Sequence, residues 1–292
     1  MRADLATEVR RTLLRQPSRL LAVCLLALVT CAAVTAPLVA PYDPNAQDIA
    51  LKNQPPMWST GGSVAHVLGT DQLGRDLLSR LTFGSRVTMA VGLSAVLVAT
   101  LFGSLAGLLA GYVGGWSDNL VMRLADIQFA FPSILLAIAV IGVLGVGVGN
   151  LIIVLAFTGW VQYARIMRAQ VLSLREKEYV EAARALGAQA GRIMVRHILP
   201  NSLTAIVVVA TLQFAQVIVT EAALSFLGLG VPLDTPSWGG MLNDGQSYLG
   251  SAWWVATLPG VAISLTVLSV NLMGDWLGDL LNPRLQIGRA HV

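Results

Sequence analysis

Residues 171–202 read VLSLREKEYVEAARALGAQAGRIMVRHILPNS, a polar stretch set between two apolar runs at about 149–170 and 203–227. Ser173 and Glu176 have the S-x-x-E spacing of a capping box, in which hydroxyl and carboxylate each satisfy an orphan backbone N–H. The pattern predicts a helix from about Leu174 to Leu186, about 13 residues or roughly 20 Å. Gly187 suits the left-handed position that ends such a helix. A second helix is expected to follow and to stop before Pro200, which has no N–H to continue it. Ala182, Ala183 and Leu186 give the first helix a smooth, small-residue surface, with Glu181 and Arg184 beside it at i,i+3 spacing. Such a surface suits either close docking by another protein or a helix lying on a membrane.

The flanking runs decide between these settings. The chain has 292 residues, 55% hydrophobic and only 12% charged, with a mean hydropathy of +0.69. Soluble domains carry roughly 25% charged residues, so this composition cannot cover a globular surface in water. It suffices if lipid covers most of it. A bilayer core needs about 20 apolar helical residues, and six stretches qualify, at about 20–40, 87–113, 124–147, 149–170, 203–227 and 252–274. The first run is too long for a signal-peptide core, usually 7–15 residues, so an uncleaved first span is expected. In the fourth, Arg165 and Arg168 fall in the last turns, where long side chains reach the headgroups.

Lys and Arg give the orientation. With the N-terminus inside, 15 of the 19 fall on inside segments and four, Lys52, Arg75, Arg80 and Arg86, on the first outside loop. Six spans then place both termini in the cytoplasm. The net charge of +3 is too small to imply nucleic acid. Gly103, Gly107 and Gly111 form overlapping small-xxx-small units in the second span, a basis for close helix contact. Gly142, Gly145, Gly147 and Gly149 crowd the end of the third span, and Pro132 is expected to kink it.

Chemistry is sparse. Cys24 and Cys31 share one helical face, cannot bridge each other, and read as buried small hydrophobes. The three histidines are dispersed, no HExxH or metal spacing occurs, and no catalytic set or cofactor is indicated. Asp126, Glu221 and Asp275 lie near span ends, and the span interiors are otherwise free of charge. A proton- or sodium-coupled carrier normally places ionisable groups or broken helices at mid-membrane, so a secondary transporter is the weaker reading. His66, Asp71, Arg75 and Asp76 read as a structural amphipathic segment rather than a ligand site.

Glu181-Ala182-Ala183, Gly187 and Leu199-Pro200 together resemble the EAA loop of ABC importer permeases, which docks into a groove on a cytoplasmic ATPase. His197 departs from the family's usual aliphatic residue. A second Glu-Ala-Ala at 221–223 lacks the spacing and the Leu-Pro, and is a decoy. Three further segments are similar to the C-type permease of dipeptide and oligopeptide importers: His66–Arg80, Glu221–Gly230 with Pro236-Ser237-Trp238-Gly239, and Asn271–Asp275 through Pro283-Arg284. Gly278 and Asn282 stand where the family often has Arg and Asp. The tail Gln286–Val292 does not resemble the family. It can be back-translated into a common sequencing adapter, so it is expected to be a read-through artefact.

The resemblance implies an all-α membrane protein of six transmembrane helices: a type I (MetI-like) five-helix core with one extra N-terminal helix. Residues 1–86 would hold the tail, first span and outside segment, 87–281 the core with its loop at about 171–202, and 282–292 the C-terminal tail. It further implies a peptide importer subunit of a prokaryotic inner membrane, with nickel or glutathione as alternative cargo. Implied partners are a homologous B-type permease, two cytoplasmic ABC ATPase subunits or domains, an extracytoplasmic binding protein and lipid. Glu181, Ala182, Ala183 and Gly187 would couple to the ATPase, and Leu199 and Pro200 would fix the chain's return to the membrane. Asp234, Trp238 and Asp244 are offered as contacts for the binding protein.

Overall fold

The computed structural model describes residues 17–281, so Asn282 and the tail 286–292 lie outside the described residues, as do the arginines before Pro17 and after Leu281. Nine helices carry the described chain: α1 (Pro17–Val39), α2 (Leu77–Val113), α3 (Gly115–Phe129), α4 (Ser133–Leu144), α5 (Val148–Leu174), α6 (Glu178–Ala185), α7 (Ala190–Phe226), α8 (Trp238–Gln246) and α9 (Trp254–Leu281). Helices α1, α2, α5, α7 and α9 are each long and apolar enough to cross a membrane. The pair α3–α4, bent by 94° at its break, completes six spans when counted as one.

The third span therefore does more than kink. Ala130 is still helical and closes the last turn of α3, but Pro132 has extended backbone, so the helix breaks there and restarts at Ser133. The second span begins earlier than its apolar run. Asp76 caps α2 by accepting from the Ser79 backbone N–H at 2.8 Å, so the helix starts at Leu77 and runs through residue 86, the expected domain boundary. At 37 residues it is about 55 Å long, and its first turns extend beyond a hydrocarbon core of about 30 Å.

Helices α2 and α5 form the closest pair, and the glycine stripe is the cause. A Cβ on Gly107 would lie 2.2 Å from the Ala164 carbonyl oxygen, and one on Gly103 would lie 2.3 Å from that of Trp160. The glycines 142, 145 and 149 meet nothing within 4 Å, so they serve no close helix contact, and Gly145, with φ +84°, makes the turn between α4 and α5. Cys24 and Cys31 are exposed on α1, not buried, because that helix packs through Ala22, Ala33 and Ala36.

The arginines of α5 have protein partners. Arg168 Nη2 is 2.6 Å from Asp118, and Arg165 Nη2 is 2.7 Å from Asp126. Both acids lie on α3, which these pairs hold against α5. Arg175 donates to the Gly111 carbonyl at 3.0 Å, and Arg19 meets Asp279 at 2.8 Å despite glycine at 278. All of these lie at one end of the bundle. At the other, residues 40–76 fold over the ends of α7, α8 and α9, with Trp254 Nε1 donating to Thr70 O at 3.1 Å.

Candidate functional site

The loop at the arginine-rich end is built differently from its sequence expectation. Ser173 is not a cap: α5 continues through Leu174, and the Arg175 N–H still bonds to Val171 O at 2.9 Å. The following helix, α6, is therefore eight residues rather than about 13, and starts after Lys177 without a side-chain cap. Its end agrees with expectation. Gly187 has φ +83°, the Gly187 N–H bonds to Arg184 O, and the Ala188 N–H reaches back to Ala183 O at 3.0 Å. That last bond is the six-residue closure of a Schellman end. A Cβ at Gly187 would meet nothing within 4 Å, so backbone conformation, not space, calls for glycine.

Proline 200 does not stop the second helix. Met194–Ile198 form a π-type turn, in which the Leu199 N–H bonds to Met194 O, five residues back. The wider turn accommodates a ring that would otherwise clash with the carbonyl four residues back. Helix α7 then runs unbroken from the loop to Phe226. Leu199 is half-buried and Pro200 exposed at this junction.

One row of side chains fixes the loop to the bundle. Val180, Ile193 and Ile198 are fully buried among Met167 and Val171 of α5. Each such burial is worth about 1.5–3 kcal/mol. Ile198 thus fills the aliphatic role, and His197 lies to the side, its ring 6.3 Å from that of Tyr179. The opposite face of α6 is open: Glu181, Ala182 and Gly187 are exposed, Ala183 is half-buried, and Leu186 is 89% exposed. Val195 is exposed on the same loop. A short helix held by one valine, with a leucine left bare, can receive a partner and pass its movement straight into α5 and α7.

The opposite end closes on a charge cluster. Arg75 bonds Asp71 at 2.6 Å and Asp244 at 2.9 Å, and Arg80 reaches the same Asp244 oxygen at 3.1 Å. His66 Nδ1 lies 2.8 Å from Asp76. These four residues of the first loop are structural, as expected, but as a buried network rather than an amphipathic surface. Trp238 is 2% exposed and its indole N–H donates to Leu81 O at 3.0 Å. Trp238 and Asp244 thus hold the cap at this end together, and Asp234 alone of the three offered contacts is open. Glu221 of the decoy Glu-Ala-Ala is fully buried between the hydroxyls of Thr88 and Ser225. Among the described residues no group of three His, Cys, Asp or Glu side chains is placed to hold a metal.

Comparison with known proteins gives the same outline. Residues 103–287 match the family model described as binding-protein-dependent transport system inner membrane component. Residues 5–56 match the N-terminal TM domain of oligopeptide transport permease C. The chain is 47% identical to a di/tripeptide transport system permease protein of Pseudomonas aeruginosa, over 89% of this chain and 86% of that protein. It is 49% identical to a dipeptide transport system permease protein of Escherichia coli, over 87% and 85%. A glutathione transport system permease protein of Pectobacterium atrosepticum is 43% identical, over 96% and 91%. Among solved structures, an inward-facing methionine ABC transporter aligns with a TM-score of 0.57 at 20% identity, covering 70% of this chain and 96% of that one.

Proposed function

The chain belongs to the family of binding-protein-dependent transport system inner membrane components, and on that premise we propose that it carries di- and oligopeptides inward as one of two permeases in an ATP-driven importer. The chain is not the ATPase. The open face of α6, with Glu181, Ala182 and Leu186, docks on a cytoplasmic ATPase, which makes the arginine-rich end the inside and both termini cytoplasmic. A second, homologous permease completes the path, and an extracytoplasmic binding protein delivers the cargo near Asp234.

The observation that carries this reading is the mechanical form of the loop. Val180, Ile193 and Ile198 tie α6 to the ends of α5 and α7, while Leu186 stands free. Nucleotide-driven closure of the ATPases moves α6, and the two spans follow as a rigid unit. Access then alternates as a population switch biased by nucleotide. The 43% identity to a glutathione permease favours a second cargo of related chemistry, since glutathione is itself a tripeptide.

The test is co-expression with candidate ATPase and binding-protein subunits, followed by cross-linking from Ala182→Cys. A cross-link to the ATPase that changes with nucleotide, together with ATP-dependent peptide uptake, is the expected result. A stable complex lacking any ATPase contact at Ala182 overturns it.

A further inference from the structure

Between the broken third span and helices α5 and α7 lies a cavity of about 290 Å³, close to the lower size of small-molecule sites, about 300 Å³. Its walls are unlike the rest of the spans. Gln162 of α5 and Gln213, Gln216 and Thr220 of α7 line it, with Phe129 and Phe131 at the helix break. No ionisable side chain is among its lining residues. Elsewhere the exposed surface of the spans is aliphatic and aromatic, as at Leu93, Leu97, Leu101 and Leu105 of α2.

The glutamines fall on one face of each helix. Gln213, Gln216 and Thr220 are spaced i, i+3, i+7 on α7, so they share a stripe. Gln162 is 14 residues from the start of α5 and Gln213 is 13 from the end of α7, about 20 Å in each case, so the two stand level near mid-membrane. None of the three glutamine side chains hydrogen-bonds another described residue, and Gln162 and Gln216 are exposed. Gln128 at the same cavity differs. It donates to the carbonyls of Phe157 and Thr158 and accepts from Trp160 Nε1 at 2.8 Å, which makes it a brace for the break.

Free amides cannot face hydrocarbon without penalty, and irregular backbone at membrane depth is tolerated where it lines a water-filled cavity. Both features occur here, on the same wall. We propose that Gln162, Gln213 and Gln216 form a mid-membrane site that takes the peptide backbone of the cargo. A glutamine amide offers one acceptor and two donors, matching the C=O and N–H of a peptide bond whatever side chains flank it. Phe129 and Phe131 supply apolar walls for those side chains. A bare divalent cation would call for carboxylate, imidazole or thiolate ligands, and the lining holds none. This site rests on the peptide-import reading and names how that cargo is recognised in transit.

The experiment uses the complete importer in proteoliposomes, with this chain carrying Cys24→Ala and Cys31→Ala and, in separate variants, Gln213→Cys or Leu101→Cys. A charged, membrane-impermeant methanethiosulfonate is the probe, and labelling of this chain is read by mass. A thiol reacts as thiolate, which needs a wet environment, so Gln213→Cys is expected to label about tenfold faster than the lipid-facing control. Alanyl-alanine with binding protein and ATP should then slow that labelling severalfold. An inert Gln213→Cys in a complex that still transports peptide overturns the site and leaves the function standing. Fast labelling that peptide does not slow overturns it equally, as a water path without cargo contact. Failure of the unmodified complex to take up any peptide instead overturns the functional reading.

Discussion

Arg75 Nη2 lies 2.9 Å from Asp244 Oδ2 across 169 residues of chain, joining the segment before α2 to helix α8. Arg80 shares that oxygen and Asp71 backs both arginines, whose side chains are 7% and 4% exposed. Asp244→Asn would leave two nearly buried cations on one remaining carboxylate. Breaking a buried pair costs about 3–5 kcal/mol. Asp71 remains and the Asp244 side chain is 25% exposed, so a loss of roughly 2–3 kcal/mol is expected here. Thermal unfolding of the purified chain should begin several degrees lower in Asp244→Asn, while Asp234→Asn, on an open side chain, should match the native protein. Equal midpoints for all three would show that the cluster does not hold the cap.

The α2–α5 contact predicts a sharper effect from a smaller change. Gly107→Ala places a methyl 2.2 Å from the Ala164 carbonyl oxygen, which is backbone and cannot rotate away. The helices must separate, and overpacking of this kind costs about 1–3 kcal/mol. Gly142→Ala meets open space and serves as the control. Detergent-solubilised yield and melting temperature should fall for Gly107→Ala only.

Why these residues matter was only partly legible in the sequence. The glycine stripe of α2 could be read because close helix approach has a local signature, small residues four apart. Span positions could be read because hydropathy over about 20 residues is a local property. Asp118 and Asp126 were different: each pairs with an arginine on α5, about 40 to 50 positions away, and only the folded chain brings them together. Ser173 and Glu176 had the right spacing for a cap, yet Ser173 lies inside the last turn of α5 and Glu176 in the turn that follows, with Arg175 bound to the Gly111 carbonyl of α2. Tertiary contact overrode a local signal. Trp238 is the converse case, an indole that reads as a contact and is instead a bolt to Leu81. The cavity glutamines were missed because single polar residues within apolar runs lower the hydropathy little. Their i, i+3, i+7 spacing on α7 was the available signal.

Gly187 tests the end of α6 through its backbone conformation. At φ +83° an L-residue is strained by about 1–2 kcal/mol, and no steric clash adds to it. Gly187→Ala should insert and assemble normally but show reduced binding-protein-stimulated ATP hydrolysis. Gly187→Asn should lie between it and the native protein, because asparagine tolerates the left-handed region better. Unchanged stimulation in both variants would mean that the angle between α6 and α7 does not matter for coupling.

The docking face itself can be separated from the loop's attachment. Leu186 is 89% exposed and Val180 fully buried, though both belong to the same small element. If Leu186 enters a groove on the ATPase, its burial there contributes about 1.5–3 kcal/mol. Leu186→Asp should then weaken ATPase association about 10- to 100-fold in pull-down titrations while the melting temperature of the isolated chain stays constant. Val180→Asp should do the opposite, lowering the melting temperature by placing a charge among Met167, Val171, Ile193 and Ile198. Ala183 is half-buried between the two faces, so Ala183→Arg should disturb association and stability together. An ATPase that binds Leu186→Asp as tightly as the native chain would place the contact elsewhere. The lever would then have to act through the exposed Val195 and Pro200 at the foot of α7.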